Sequence, residues 1–203
     1  MVNAAAIVLL HEKMALLWHR DPDAEAIDPD AANAVWLRGV ALQHHANFDL
    51  WHIEDEARAP GATDHELAEV KRRIDRTNQL RNDLAEKLDL ALLDWLDANS
   101  PMDPAAPLHS ESPGLMIDRL SILALKIHHT REEAERLDAP HAHLERNRAR
   151  LAILTEQRHD LAACLDELWR QVLGGRRRFK LYRQLKMYND PALNPAIYRA
   201  TGR

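Results

Sequence analysis

Between Asn47 and Arg58 the chain sets an amide (Asn47), an indole (Trp51), an imidazole (His52), adjacent acids (Glu54, Asp55) and a guanidinium (Arg58). At 100° per residue Leu50, Ile53 and Ala57 fall together as an apolar stripe, and Asn47, Trp51, Glu54, Asp55 and Arg58 form a polar arc beside it. Such an arc suits ligand capture: the indole offers a stacking face, and a positioned carboxylate or imidazole can take a proton. Glu54, Asp55 and His52 are therefore the candidate catalytic groups, and Trp51 and Arg58 candidate ligand contacts.

Arg81 projects from the middle of an otherwise apolar face, with Thr77 beside it. Leaving a guanidinium unpaired there costs several kcal/mol, so it must meet an anion. Glu54 or Asp55 on the preceding helix is the predicted partner, in a register-setting salt bridge; the functional reading presents Arg81 to a phosphate or carboxylate. Asn78 and Asn82 lie along the adjoining edge, and Asp118, Arg119 and Lys126 share the flanks of a later helix. Asp55, Asp83 and Glu86 are carboxylates on facing helices, an oxygen set that could hold Mg²⁺. A stripe of His45, Asp49, His52 and Glu56 could instead take a transition metal. The 12 histidines read mostly as surface residues, with His52 and His129 closest to acids. Cys164, among Leu161, Ala163 and Leu165, reads as a buried small hydrophobe rather than a nucleophile.

These groups need rigid helices to position them. With 6 Gly in 203 residues and Leu, Ala, Glu and Arg dominant, the composition predicts an all-α protein. Helices are expected over about 3–20, 29–59, 64–98, 112–137 and 140–173. Their punctuation is explicit: Asp28-Pro29 and Ser112-Pro113 are cap-plus-proline starts, Thr63-x-x-Glu66 is a capping box, and Pro60-Gly61 and Gly174-Gly175 are stops. The near-heptad leucines of the fifth helix suit an antiparallel hairpin with the fourth, although the same seam could form a homodimer. Residues 176–203 hold eight Lys/Arg against Asp190 alone, leaving 19 bases and 31 acids in the first 175. An acidic body with a basic tail predicts docking of the tail on the bundle as a short helix, and disfavours nucleic acid as a partner. No apolar run is long enough for a membrane span, the N-terminus lacks a basic signal-peptide start, and one cysteine excludes a disulfide framework; a cytoplasmic location is expected.

Four blocks carry a resemblance: Asn47-x-x-Leu-Trp-His-x-Glu-Asp-x-Ala-Arg58, Lys71-x-x-Ile-Asp-x-x-Asn-Gln-x-Arg-Asn-Asp83, Ser112-Pro-Gly-x-x-x-Asp-Arg-Leu-Ser-Ile-Leu-Ala-Leu-Lys-Ile127 and Lys186-Met-Tyr-Asn-Asp-Pro-x-Leu-Asn-Pro195. In this order they resemble a bacterial family of domains of unknown function, DUF4254. The resemblance implies a helical fold and a genomic setting beside glycosyltransferases of surface-polysaccharide clusters; it supplies no activity or catalytic residue. The blocks leave out His45 and the Asp49 stripe, which sets the transition-metal version aside.

The expectation is one helical domain over residues 1–203: a bundle of five long helices plus a short basic C-terminal helix roofing a polar pocket. Its function is expected to be binding or modifying a small phosphorylated or nucleotide-activated sugar. Arg81, Arg119 and Lys126 would neutralise phosphate, Trp51 would stack, and Asn78 and Asn82 would bond hydroxyls. The alternatives are an Mg²⁺-dependent nucleoside-triphosphate pyrophosphatase using Glu54, Asp55, Asp83 and Glu86, and a scaffold assisting a glycosyltransferase.

Overall fold

The computed structural model describes residues 2–22, 24, 34–185, 192–195 and 199. Its helices are α1 (Ala4–Trp18), α2 (Ala34–Glu56), α3 (Asp64–Asn99), α4 (Pro113–Glu135) and α5 (His141–Leu173). No helix among the described residues is long and apolar enough to cross a membrane.

The predicted punctuation sets most of these ends. Thr63 and Glu66 close a reciprocal capping box at α3, satisfying donors the first turn would otherwise leave orphaned. Ser112 caps α4, with Pro113 in the first turn. Gly175 takes φ +67, and the N–H groups of Gly175 and Arg176 donate to the carbonyls of Val172 and Gln171, ending α5 as a left-handed glycine should. Asp28-Pro29 lies outside the described residues.

Two antiparallel hairpins dominate the packing, α2 with α3 and α4 with α5. In the first, Arg73 reaches Glu56 near the turn while Gly39 lies against Leu88 at the other end. In the second, His143 meets Glu133 beside the turn at 2.7 Å. Helix α1 packs on α4, α2 and α5. Its first N–H, from Ala4, donates to Asp166 of α5 at 2.9 Å, a carboxylate placed at the positive end of a helix dipole. The core joins Ile7, Val40, Leu92, Ile117, Leu120 and Leu165 from all five helices.

At the start of α4 the backbone of two helices nearly touches. A Cβ on Gly114 would stand 2.4 Å from the Ala85 carbonyl oxygen and 2.9 Å from the Asp89 carboxylate. Only glycine allows this approach, and Asp89 uses it. Its carboxylate accepts from the Gly114 N–H at 2.7 Å and from the Ser112 hydroxyl, so a side chain of α3 caps α4.

Two expectations are corrected. The tail is not helical over residues 176–185. Arg178 bridges to Leu108: its N–H donates to the Pro107 carbonyl at 3.2 Å and its carbonyl accepts from the His109 N–H at 2.8 Å. The 99–112 loop offers these strand-like partners, and burial of Phe179 at 2% exposure anchors an extended path instead. The rest of the expected helix, to Tyr188, falls outside the described residues. Cys164 is exposed, not buried: it stands one residue, about 100° of helix, before the buried Leu165.

Candidate functional site

Asp118 of α4 is the centre of a buried polar network. Its Oδ1 accepts from Gln43 Nε2 at 2.5 Å and from Asn47 Nδ2 at 2.9 Å, both on α2. Its Oδ2 accepts from Arg81 Nη2 of α3 at 3.0 Å. One turn on, Ser121 Oγ accepts from Asn47 Nδ2 at 2.9 Å and lies 2.7 Å from His44 Nδ1. Nε2 of His44 faces the His11 carbonyl at 3.0 Å and must donate to it, so Nδ1 accepts the Ser121 hydroxyl proton. Burial, only partly offset by that carbonyl, holds His44 down to about 3, which keeps the ring in this neutral form. Five helical side chains from three helices thus interlock around one carboxylate.

The predicted partner of Arg81 is thereby corrected. Its guanidinium meets Asp118 rather than Glu54 or Asp55, because α4 packs into the angle between α2 and α3. The argument from the cost of a stranded charge holds; the choice of helix does not.

Arg81 also reaches a hollow of about 380 Å³, lined by Asn47, Leu50, Trp51, Glu54, Asp55, Arg58, Arg81, Ile122 and Leu125. The predicted arc of α2 faces it. Arg58 pairs with Glu54 at 2.9 Å, whereas the Asp55 carboxylate makes no hydrogen bond or ion pair among the described residues. The indole of Trp51 is pinned by the His129 ring, parallel within 11° at 4.7 Å. Nε of Arg81 is buried without a hydrogen-bond partner among the described residues.

A profile of a family described as "Protein of unknown function (DUF4254)" matches residues 37–181, well over half of the 203-residue chain. The chain belongs to the DUF4254 family. No curated protein and no solved structure matches it. The matched DUF4254 stretch contains the whole Asp118 network except His11, and every residue lining the hollow.

Other predicted members of this DUF4254 site lie elsewhere. Arg119 and Lys126 line a separate hollow of about 680 Å³ between α4 and α5, together with Cys164 and Asp160, and Arg119 forks onto Glu111 with both bonds at 2.9 Å. Asn78 and Asn82 are half-buried on α3 but do not line the Trp51 hollow. Asp83 is exposed and accepts from Gln79 at 2.8 Å, and Glu86 accepts from the Gln184 N–H at 2.9 Å. The four carboxylates proposed for Mg²⁺ are therefore spread over two helices rather than gathered, and neither Asp83 nor Glu86 faces the hollow. The tail residues described do not roof it; they run beside 106–109 and reach α3 at Glu86.

His52 points away from this hollow. It lines another, of about 530 Å³, with Trp18, His19, Phe48, Asp49 and Arg73. The stripe weighed for a transition metal does not converge either: His45 pairs with Asp49 at 3.2 Å and Glu56 with Arg73. Gln43, His44 and Ser121 were not anticipated. The spacing carried a signal, since Gln43 and Asn47 are four apart and Asp118 and Ser121 three apart, each pair sharing a helix face.

Proposed function

We propose that the hollow beside Trp51 binds a small polyhydroxylated ligand bearing an anionic group, of the size of a sugar phosphate. The single observation that carries this is the Trp51 indole, held flat by His129 at a hollow whose other walls are Leu50, Ile122, Leu125, Glu54, Asp55, Arg58 and Arg81. A fixed aromatic face beside apolar side chains matches the C–H face of a sugar ring. Carboxylate and guanidinium groups around it match hydroxyls and one anion. A volume near 380 Å³ lies at the lower end of small-molecule sites, so a monosaccharide fits within it and the nucleotide of an activated sugar would extend outside.

The anion is assigned to Arg58 and Arg81, since Arg119 and Lys126 line a different hollow. Asp55 is the carboxylate left to take a proton from a bound hydroxyl. A cytoplasmic role in surface-polysaccharide synthesis is part of the same proposal and draws on the genomic setting that the family resemblance implies.

A thermal-shift screen of monosaccharide phosphates and nucleotide sugars, with and without Mg²⁺, tests it. Stabilisation by a ligand without metal, lost in Trp51→Ala and weakened in Arg58→Ala, is expected. Equal stabilisation of wild type and Trp51→Ala would overturn it. A response that requires Mg²⁺ favours the pyrophosphatase reading, and no response to any sugar favours the scaffold.

A further inference from the structure

Behind Trp51 the chain collects histidines from three helices. His19 is the C-terminal cap of α1, His52 lies in α2, and His128 and His129 are consecutive in α4. The His19 ring stacks on His128 at 4.1 Å and lies 5.2 Å from His52 and 4.9 Å from His129. Nε2 of each of these four rings is buried and has no hydrogen-bond partner among the described residues, although that of His128 lies 3.6 Å from the Glu132 carboxylate. Buried ring nitrogens are ordinarily satisfied, so the three of His19, His52 and His129 in one cluster require a cause.

The other ring nitrogens show how each ring is oriented. Nδ1 of His19 lies 2.6 Å from the Ala15 carbonyl, an acceptor only, so Nδ1 carries a proton, and in the neutral ring Nε2 holds the lone pair. Nδ1 of His129 likewise lies 3.0 Å from the Glu132 carboxylate, so in its neutral ring, too, the lone pair is on Nε2. A carboxylate or carbonyl behind an imidazole, orienting the opposite nitrogen, is the arrangement found behind metal-ligating histidines. One ligand atom each from His19, His52 and His129 lies within 4.8 Å of the other two, against about 3.4 Å between nitrogens around tetrahedral Zn²⁺.

We propose that His19, His52 and His129 form a binding site for a late first-row divalent metal ion, with His128 stacked beside it. Three imidazoles and no thiolate suit Zn²⁺ or its neighbours and disfavour Mg²⁺ or Ca²⁺, which take oxygen. The site shares only His52 with the transition-metal stripe weighed from the sequence and no residue with the Mg²⁺ set. It does not rest on the sugar reading, because an ion can be titrated in the absence of any sugar.

The test is calorimetric titration of Zn²⁺ into chelator-treated full-length protein, paralleled by the visible absorption of Co²⁺ added in its place. One equivalent bound more tightly than about 1 μM, with the intense Co²⁺ bands of four-coordination, is expected. His52→Ala and His129→Ala should weaken binding at least about 100-fold, whereas His65→Ala, an exposed histidine facing only Glu69, should leave it unchanged. Glu132→Gln, which keeps the histidines, should cost about 10-fold, and this variant with the wild-type Co²⁺ spectrum decides the matter should the alanine variants fail to fold. Absence of stoichiometric binding, octahedral Co²⁺ bands alone, or equal loss in His65→Ala would overturn the proposal.

Discussion

Arg81 of α3 and Asp118 of α4 form an ion pair at 3.0 Å, with side chains 24% and 8% exposed. The asymmetry has a consequence. Arg81 makes one side-chain bond here, but Asp118 accepts three, from Gln43, Asn47 and Arg81.

Asp118→Ala should therefore cost more than Arg81→Ala. The first strands a guanidinium and two amides in the interior, for about 3 kcal/mol. The second leaves the carboxylate two donors and a hollow open toward solvent, for about 2 kcal/mol. The double variant should fall short of the sum by about 1 kcal/mol. Urea unfolding of the four proteins measures this cycle; additive losses would mean that the pair is not coupled.

His11 and His44 lie 4.5 Å apart, ring to ring, and both are fully buried, yet only His44 uses its ring nitrogens. Both nitrogens of His11 lack partners among the described residues, so His11→Leu removes an uncompensated polar group and should raise Tm by about 3 °C. His44→Leu leaves the Ser121 hydroxyl proton without its buried acceptor and should cost about 2 kcal/mol. Differential scanning calorimetry separates the two, and a fall in Tm for His11→Leu would contradict this account.

Acid should destabilise the protein through these rings. Their ordinary value is 6.5; burial holds His44 at about 3 and His11 well below its usual range. From pH 6.5 downward the unfolded chain takes up protons that the folded one refuses, so stability falls toward pH 3. Asp89 acts in the opposite sense. Burial raises it from 3.8 to about 6, so the folded state keeps a proton that the unfolded one loses, and stability falls as pH rises from about 4 to 6. His11 and His44 outweigh Asp89, and these three groups together should raise stability between pH 4 and 6 by about 1.4 kcal/mol per pH unit. His44→Leu should flatten that slope, as read from urea unfolding across the range.

Much of the helical order was readable because its causes are local. The capping box at Thr63, Ser112-Pro113 and Gly174-Gly175 each act within a turn of chain. So did the apolar stripe of Leu50, Ile53 and Ala57, which sets which side of α2 turns inward and thus that Trp51, Glu54 and Asp55 share an edge. The tail was misread for the same reason: helix propensity is local, but the bonds that hold Arg178 extended come from Ala106, Pro107 and His109, some 70 residues earlier.

Local rules could establish that Arg81 needs an anion, that five helices form, and that the segment around Trp51 carries polar groups beside an apolar seam. Which anion Arg81 finds, whether Arg119 joins it, and that His19 meets His52 and His129 are matters of how helices cross. Crossing is decided by side-chain volumes packed over the whole core. A guanidinium requires a carboxylate wherever it is buried, and only the assembled core determines that Asp118 supplies it.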